Sequence, residues 1–318
     1  MALDPYVAER VHLLHEMADH DFWATEAGRS RWAEFFAPPA SYVAPAVFVE
    51  EAFIVRDDAP ALRVLVYRGA ADSSGPGLVW MHGGGFTGGS VEMFEGDGTA
   101  RELAARTGGT VVSVDYRLVD SSTTFPAPFD DVEAAWEWML ARRDELGITG
   151  RVGLGGTSAG AALAAGTAVS LRDRRGPAPD LLVLIYPTLH PVLPPLSHEL
   201  AAKAADIPAV FDYRPDVDDL HDNGMLRALL GGPEWMVTSH AMAGLAHPHG
   251  MPRTLIVTAE FDHLRASGQA FGAALAEAGV DVEVRLAPGV LHGHLNLAPV
   301  LPPVDDTLAL IATRLSAP

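Results

Sequence analysis

The chain is predicted to fold as α/β, a mostly parallel central sheet covered by helices on both faces. Three observations carry that prediction. After residue 60, short apolar runs rich in β-branched residues alternate with helical patterns, as strands joined by helical crossovers do. A glycine-flanked serine falls at one of the strand-to-helix turns. The length of 318 residues, with 48% hydrophobic, suffices for one sizeable core, so residues 1–318 are expected to form a single domain.

Residues 1–45 read as amphipathic helices carrying Phe22, Trp23, Trp32, Phe35 and Phe36. The strands expected next are Leu62–Tyr67, Leu78–Met81, Val111–Val114, Val152–Leu154, Leu181–Tyr186, Thr254–Thr258 and Val280–Leu286. Between them lie helical patterns at Gly98–Thr107, Asp130–Leu146, Ala159–Arg172 and Arg265–Ala278, with Asp305–Leu315 last. Right-handed crossovers would then align the strand C-termini along one edge, where such sheets bind ligands. Residues 187–250, rich in Pro, Asp and His, break the rhythm, with helical pieces near His198–Ala205 and Leu220–Leu230. Together with residues 1–45 they are expected to form a cap over that edge; surface decoration of the sheet is the plainer alternative.

Composition narrows the function. A formal net charge of -19, from 41 acids against 22 bases, repels phosphate backbones, so neither nucleic acid nor an anionic membrane is an expected partner. No run of about 18 apolar residues occurs, and the N-terminus lacks the basic-then-apolar layout of a secretory signal. A cytoplasmic location is the default expectation. The absence of cysteine removes disulfides, thiolate metal sites and a cysteine nucleophile. The sole lysine, Lys203, lies in an Ala-rich helical stretch and is a poor candidate for Schiff-base or Ser-Lys chemistry.

Chemistry concentrates in four places. Gly156-Thr157-Ser158-Ala159-Gly160 follows the apolar run Val152–Leu154 and precedes an Ala-rich helix. A nucleophile elbow needs that context, because a serine on so tight a turn tolerates only small neighbours two positions either side. His82-Gly83-Gly84-Gly85-Phe86 follows the strand Leu78–Met81, and consecutive glycines let backbone N–H groups converge as an oxyanion hole. The donors expected are Gly84, Gly85 and Ala159, with His82 holding the loop. A flexible glycine-rich turn is the bland reading of both motifs; no G-K-[ST] supports a phosphate loop.

The acid should follow the serine and sit just past a strand. Asp262, ending Thr254–Asp262, is favoured over Glu260, while Asp115 is expected to anchor the Tyr116-Arg117 turn. The base should come after the last strand, where His292 and His294 both qualify by position. His292-x-His294 and His247-x-His249 lack the partner spacing of a zinc site, so no metal is expected.

These residues resemble the bacterial hormone-sensitive-lipase-like esterases, in the branch with Gly-Thr-Ser-Ala-Gly at the nucleophile. The matching pieces span about Leu78 to Leu297: His82–Phe86, Asp115-Tyr-Arg-Leu118, Phe125-Pro-Ala127 with Asp130-Asp131, Gly156–Gly160, Ala259-Glu-Phe-Asp262 with Leu264-Arg265, and His292-Gly293 with Leu295-Asn-Leu297. The resemblance implies an α/β-hydrolase fold with a helical cap, nucleophile Ser158, acid Asp262, base His292, and oxyanion donors Gly84, Gly85 and Ala159. The sequence departs from the family at Val119-Asp120-Ser121, where Ala-Pro-Glu is usual, at His263 for proline, at His294 for an aromatic residue, and at Ala161 for glycine. Thr157 stands where aspartate is commoner.

The reading is a serine carboxylesterase acting on small, uncharged, short- to medium-chain esters through an acyl-enzyme, with no cofactor. Phe86, Phe22, Trp23 and Trp32 are candidate substrate contacts, though core packing explains each equally well. Hydrolysis of a small N-acyl metabolite would use the same site. A non-catalytic receptor on this fold would be expected to lose the base, which is present here. Dimerisation through an edge strand or helix is common in this fold, and a homodimer rests here on that analogy alone.

Overall fold

The apolar runs assemble into a sheet that, in the computed structural model, is described with its surroundings over residues 2–15, 25–70, 74–205, 224–232 and 237–317. Its strands are β1 (Phe48–Ile54), β2 (Leu62–Arg68), β3 (Gly75–Met81), β4 (Thr110–Val114), β5 (Ile148–Thr157), β6 (Leu181–Ile185), β7 (Thr254–Phe261) and β8 (Val282–Leu291), in the spatial order β1-β2-β4-β3-β5-β6-β7-β8. From β4 across to β8 every pairing is parallel; β2 is antiparallel to both β4 and β1. The central strands β4, β6 and β7 are buried along their whole length, which is why they read as unbroken apolar runs.

The strand missed in the sequence is β1. Its Phe-Val-Glu-Glu-Ala-Phe-Ile run carries two acids and sits at the sheet edge, mostly exposed. Its place comes from an antiparallel ladder with β2, from Phe48 opposite Arg68 to Ile54 opposite Leu62. Pairing rather than a buried face defines it, so hydrophobic alternation is weak there.

Two layers cover the sheet. On one face, helices Ala127–Ala141, Ala159–Asp173 and Arg265–Glu277 bury Trp136, Leu163 and Phe271 against Val79, Leu154 and Ile256. On the other, Thr99–Thr107 and Pro302–Ser316 bury Leu103 and Leu308 against Trp80, Val183 and Leu255. The N-terminal helices Pro5–Arg10 and Glu26–Phe36 join this second layer through Val7 and Phe35. The Asp4 amide bonds the Gly289 carbonyl at 2.8 Å, so the N-terminal segment rests on the end of β8. In the 187–250 region, helices His198–Ala205 and Gly224–Leu230 are described, and Leu226, Leu229 and Met242 pack into the first layer. Among the described residues, no helix is long and apolar enough to cross a membrane.

The Tyr116-Arg117 turn is anchored differently from expectation. Asp115 pairs with Arg63 at 3.2 Å, whereas the fully buried Asp131 carboxylate accepts the Arg117 amide at 2.8 Å, its Nε at 3.0 Å and its Nη2 at 2.7 Å. Arg56 Nη1 adds a bond of 2.6 Å to the same carboxylate. A buried carboxylate must be satisfied by such donors, and the helix Ala127–Ala141 delivers Asp131 to them, while Asp115 stays at the surface.

Register places the site. Met81 at the end of β3 lies opposite Gly156 of β5, Thr157 opposite Ile185 of β6, and Phe261 of β7 opposite Leu291 of β8. The loops leaving β3, β5, β7 and β8 therefore meet at the C-terminal edge.

Replacing Asp131 by Asn removes the charge shared by two arginines. Asp131→Asn is expected to lower the unfolding free energy in urea by about 2–3 kcal/mol; a change under about 0.5 kcal/mol would contradict the anchoring role.

Candidate active site

At the end of β5 the chain reverses into a helix within one residue. Ser158 does so with φ 52° and ψ -116°, a region L residues rarely occupy. Its amide bonds the Ile185 carbonyl at 2.9 Å, and its carbonyl accepts the Ala162 amide at 3.1 Å. The flanking glycines are sterically required. A Cβ on Gly156 would lie 2.5 Å from the Met81 carbonyl oxygen, and one on Gly160 would lie 2.4 Å from the carbonyl oxygens of Met81 and His82.

The expected side chains come together. His292 Nε2 lies 2.8 Å from Ser158 Oγ, and His292 Nδ1 lies 2.8 Å from Asp262 Oδ2. The other oxygen of Asp262 accepts the Leu264 amide at 2.9 Å. Because an ionised carboxylate only accepts, His292 Nδ1 carries the proton and leaves the Nε2 lone pair facing the serine hydroxyl. That arrangement can draw the proton from Ser158 during attack on a carbonyl.

Glu260 takes no part in this chain. Its carboxylate is engaged by Lys203 Nζ and by the Gly289 amide at 2.7 Å. Burial would raise its pKa, but these partners outweigh burial and hold it below the usual range. Lys203, paired also with Glu199, is held charged above its ordinary value.

The glycine loop lies against the serine. A Cβ on Gly83 would be 3.2 Å from Ser158 Cβ, so only glycine lets the loop approach. Gly84 at φ 126° and Gly85 at φ 61° turn the backbone. Among the described residues, the amides of Gly84, Gly85 and Ala159 have no acceptor, and Ala159 opens a helix of 15 residues whose dipole favours negative charge at that end. His82 holds the loop, with Nδ1 2.6 Å from the Gly83 carbonyl and its ring stacked on Tyr116.

Sequence reasoning missed Glu95 and Tyr186. The Glu95 side chain, buried beneath the site, accepts the Tyr186 hydroxyl at 2.8 Å, the Gly83 amide at 2.9 Å and the Thr157 hydroxyl at 3.0 Å. The Tyr186 ring meets the edges of His292 and His294, each at a centroid distance of 4.9 Å. Neither residue sits in a glycine-rich motif. The only signal in the chain was an acid shortly after the His82–Phe86 loop.

The departures from the family pattern now have physical readings. His294 is buried and packs edge-on to Tyr186, so it occupies an aromatic place as a ring. Thr307 Oγ1 donates to the Pro303 carbonyl, so its lone pair receives His294 Nε2–H at 3.3 Å. Burial, reinforced by the neighbouring His292 imidazole, lowers its pKa to about 3. In the Val119-Asp120-Ser121 loop, Asp120 Oδ1 accepts the amides of Ser122 at 2.7 Å and Thr123 at 2.8 Å, a turn held by its own side chain.

The candidate substrate contacts separate. Phe86 is corrected to a core residue: at φ 67° it is 0% exposed and belongs to the cluster of Tyr116, Val119 and Phe129. Trp32 is half-buried and packs on Phe36 at 4.4 Å, and the Phe36 ring lies 3.8 Å from the Cβ position of Gly293, beside His292. Phe22 and Trp23 lie outside the described residues.

A family model of the alpha/beta hydrolase fold matches residues 78–296. The carboxylesterase NlhH of Mycobacterium tuberculosis is 33% identical over 279 residues, covering 87% of this chain and 84% of that protein. A hyperthermophilic esterase from the archaeon Pyrobaculum calidifontis superimposes with a TM-score of 0.79 at 29% identity, over 99% of this chain and 98% of that one. A bacterial heroin esterase superimposes with a TM-score of 0.79 at 28% identity, over 99% of both chains.

The buried His294 carries a pH signature. Its pKa is about 3 folded, against 6.5 for a free imidazole, so the unfolded chain binds the extra proton. Stability is therefore lost as pH falls from about 6.5 toward 3, by up to about 1.4 kcal/mol per unit. His82 and His190, lowered by burial, add slope of the same sign. His294→Phe keeps a ring and removes one proton, so urea unfolding between about pH 4 and pH 6 should show a shallower acid-side loss. An unchanged slope would contradict the neutral, buried histidine.

Proposed function

Since the chain belongs to the alpha/beta hydrolase fold family, with the hormone-sensitive-lipase-like esterases it resembles, we propose that it is a serine carboxylesterase working through Ser158, His292 and Asp262. The observation that carries this reading is the continuous chain of 2.8 Å contacts from Asp262 through His292 to a serine on a strained turn. A strained backbone persists where the surroundings over-determine it, and here the Ile185 carbonyl and the Ala162 amide hold Ser158 on either side.

Ser158 Oγ attacks the ester carbonyl carbon while its proton passes to His292 Nε2. The carbonyl oxygen becomes an oxyanion received by the amides of Gly84, Gly85 and Ala159, where one donor is worth about 10²–10³ in rate. Asp262 holds the imidazole by its Nδ1–H and stabilises the imidazolium. The imidazolium returns its proton to the alkoxide leaving group as the C–O bond breaks. Water, deprotonated by His292, then attacks the acyl-enzyme, and the carboxylic acid departs as Ser158 regains a proton. No step calls on a cofactor.

The substrate is a small uncharged ester with a short or medium acyl chain. A net charge of -19 disfavours anionic substrates. Trp32 and Phe36 beside the His292 loop supply apolar surface for it.

A fluorophosphonate probe should label Ser158, mapped by peptide mass, and 4-nitrophenyl acetate should be hydrolysed. Ser158→Ala and His292→Ala are each expected to lose label and to lower turnover by about 10⁴–10⁶. Turnover of Ser158→Ala near that of the unaltered chain would overturn the proposal.

A further inference from the structure

Glu95 lies in a π-helical turn, Phe94–Gly98, and its own backbone is gripped from two sides. Its carbonyl accepts Trp80 Nε1 at 2.7 Å, and its amide donates to Asn296 Oδ1 at 3.4 Å. The side chain is thus delivered from a fixed backbone, in an irregular helical turn of the kind that recurs at functional sites.

Each carboxylate oxygen reaches a different loop of the site. Oε2 takes the Gly83 amide of the glycine loop and the Thr157 hydroxyl, one residue before Ser158. Oε1 takes the Tyr186 hydroxyl, which in turn accepts the Leu295 amide at 3.3 Å from the histidine loop. The Cβ position of Gly293 is 3.9 Å from Oε1, and that of Gly83 is 2.7 Å from Oε2. The carboxylate therefore sits behind the three loops, bonded to each or to its immediate neighbour.

Packing alone does not account for an acid there. A buried carboxyl group is costly unless its oxygens are satisfied, and an apolar side chain of similar length would fill the space without that cost. Burial pushes the Glu95 pKa up, while Tyr186, Gly83, His292 and Thr157 pull it back. We infer that Glu95 is a positioning residue that holds the oxyanion loop, the nucleophile turn and the histidine loop in mutual register, with Thr157 as its matched hydroxyl partner. This inference rests on the esterase reading of the same site.

Thr157 suits this carboxylate because its hydroxyl donates to Oε2. An aspartate at 157, commoner in the family, would set a second carboxylate about 3 Å from Glu95, where two like charges repel and one must be protonated. Thr157 instead donates. By engaging the Gly83 amide, Glu95 also leaves Gly84 and Gly85 as the uncommitted amides of the loop. A misplacement of 1 Å at such a site costs on the order of 10² in rate.

The test is steady-state hydrolysis of 4-nitrophenyl acetate by the full chain, with fluorophosphonate labelling and thermal melting alongside. Glu95→Gln keeps the shape but turns one acceptor into a donor. It should lower kcat by about 10- to 100-fold with KM within about twofold, since the donors act on the transition state rather than on substrate binding. Thr157→Val and Tyr186→Phe each delete one hydroxyl without adding bulk; both should lower kcat rather than raise KM, and they carry the test should Glu95→Gln fail to fold. Thr157→Asp should lose about 100-fold, and adding Glu95→Gln to Thr157→Asp should restore activity, reversing the sign the substitution has alone. Glu95→Gln with kcat within about threefold of the unaltered chain, or a loss of equal size in both backgrounds, would overturn the inference. Normal kcat in both hydroxyl deletions would do the same. Failure of the esterase reading looks different: the unaltered chain itself would neither label nor turn over.

Discussion

The backbone of Ser158 is held at φ 52° and ψ -116°, a conformation costing on the order of 1–3 kcal/mol, and much of the surrounding sequence follows from tolerating it. The turn works only if strand β3, strand β6 and the helix starting at Ala159 crowd the same point. Gly156 and Gly160 admit the Met81 and His82 carbonyls, Gly83 lets the neighbouring loop touch Ser158 Cβ, and the Ile185 carbonyl captures the serine amide. The reward is geometric. A nucleophile projected from the tip of a strand is met from one side by a histidine loop and from the other by free backbone amides, with little freedom for any of them to drift.

Four buried acids are committed by their partners to separate tasks. Asp262 orients His292, Glu260 is satisfied by Lys203 and Gly289, Glu95 ties loops together, and Asp131 anchors the arginine turn. The partition is electrostatic: a carboxylate already saturated by a lysine or by two arginines is a poor acceptor for a catalytic imidazole. Glu260 and Asp262 are two residues apart at the end of the same strand, yet their surroundings send them to opposite purposes.

Much of this was legible in the chain. The central parallel strands stood out because burial on both faces makes them unbroken apolar runs, and the Gly156–Gly160 and His82–Phe86 motifs stood out because steric crowding demands glycine at fixed offsets. Other features depend on contacts that spacing does not encode. β1 is defined by its pairing with β2 rather than by a buried face. His292 and His294 qualified equally by position; the resemblance pointed to His292, and the fold sends that residue to Ser158 and His294 to Thr307. Phe86 resembled a pocket aromatic because a non-glycine residue at positive φ is not visible in a sequence; the structure buries it. Asp115 ended a strand and attracted the anchoring role that Asp131, from a helix, fills. Glu95 is brought to Thr157 across 62 positions of the chain, with no motif to mark it.

The central claim is that Ser158 becomes the covalent nucleophile, with the oxyanion received by three particular amides. The most direct measurement is a crystal structure of the chain after reaction with a phosphonate ester, whose phosphoryl oxygen stands in for the oxyanion. The account predicts phosphorus bonded to Ser158 Oγ and one phosphoryl oxygen at about 2.7–3.1 Å from the amides of Gly84, Gly85 and Ala159. Phosphorus on any other residue, or a phosphoryl oxygen turned away from those amides, would contradict it.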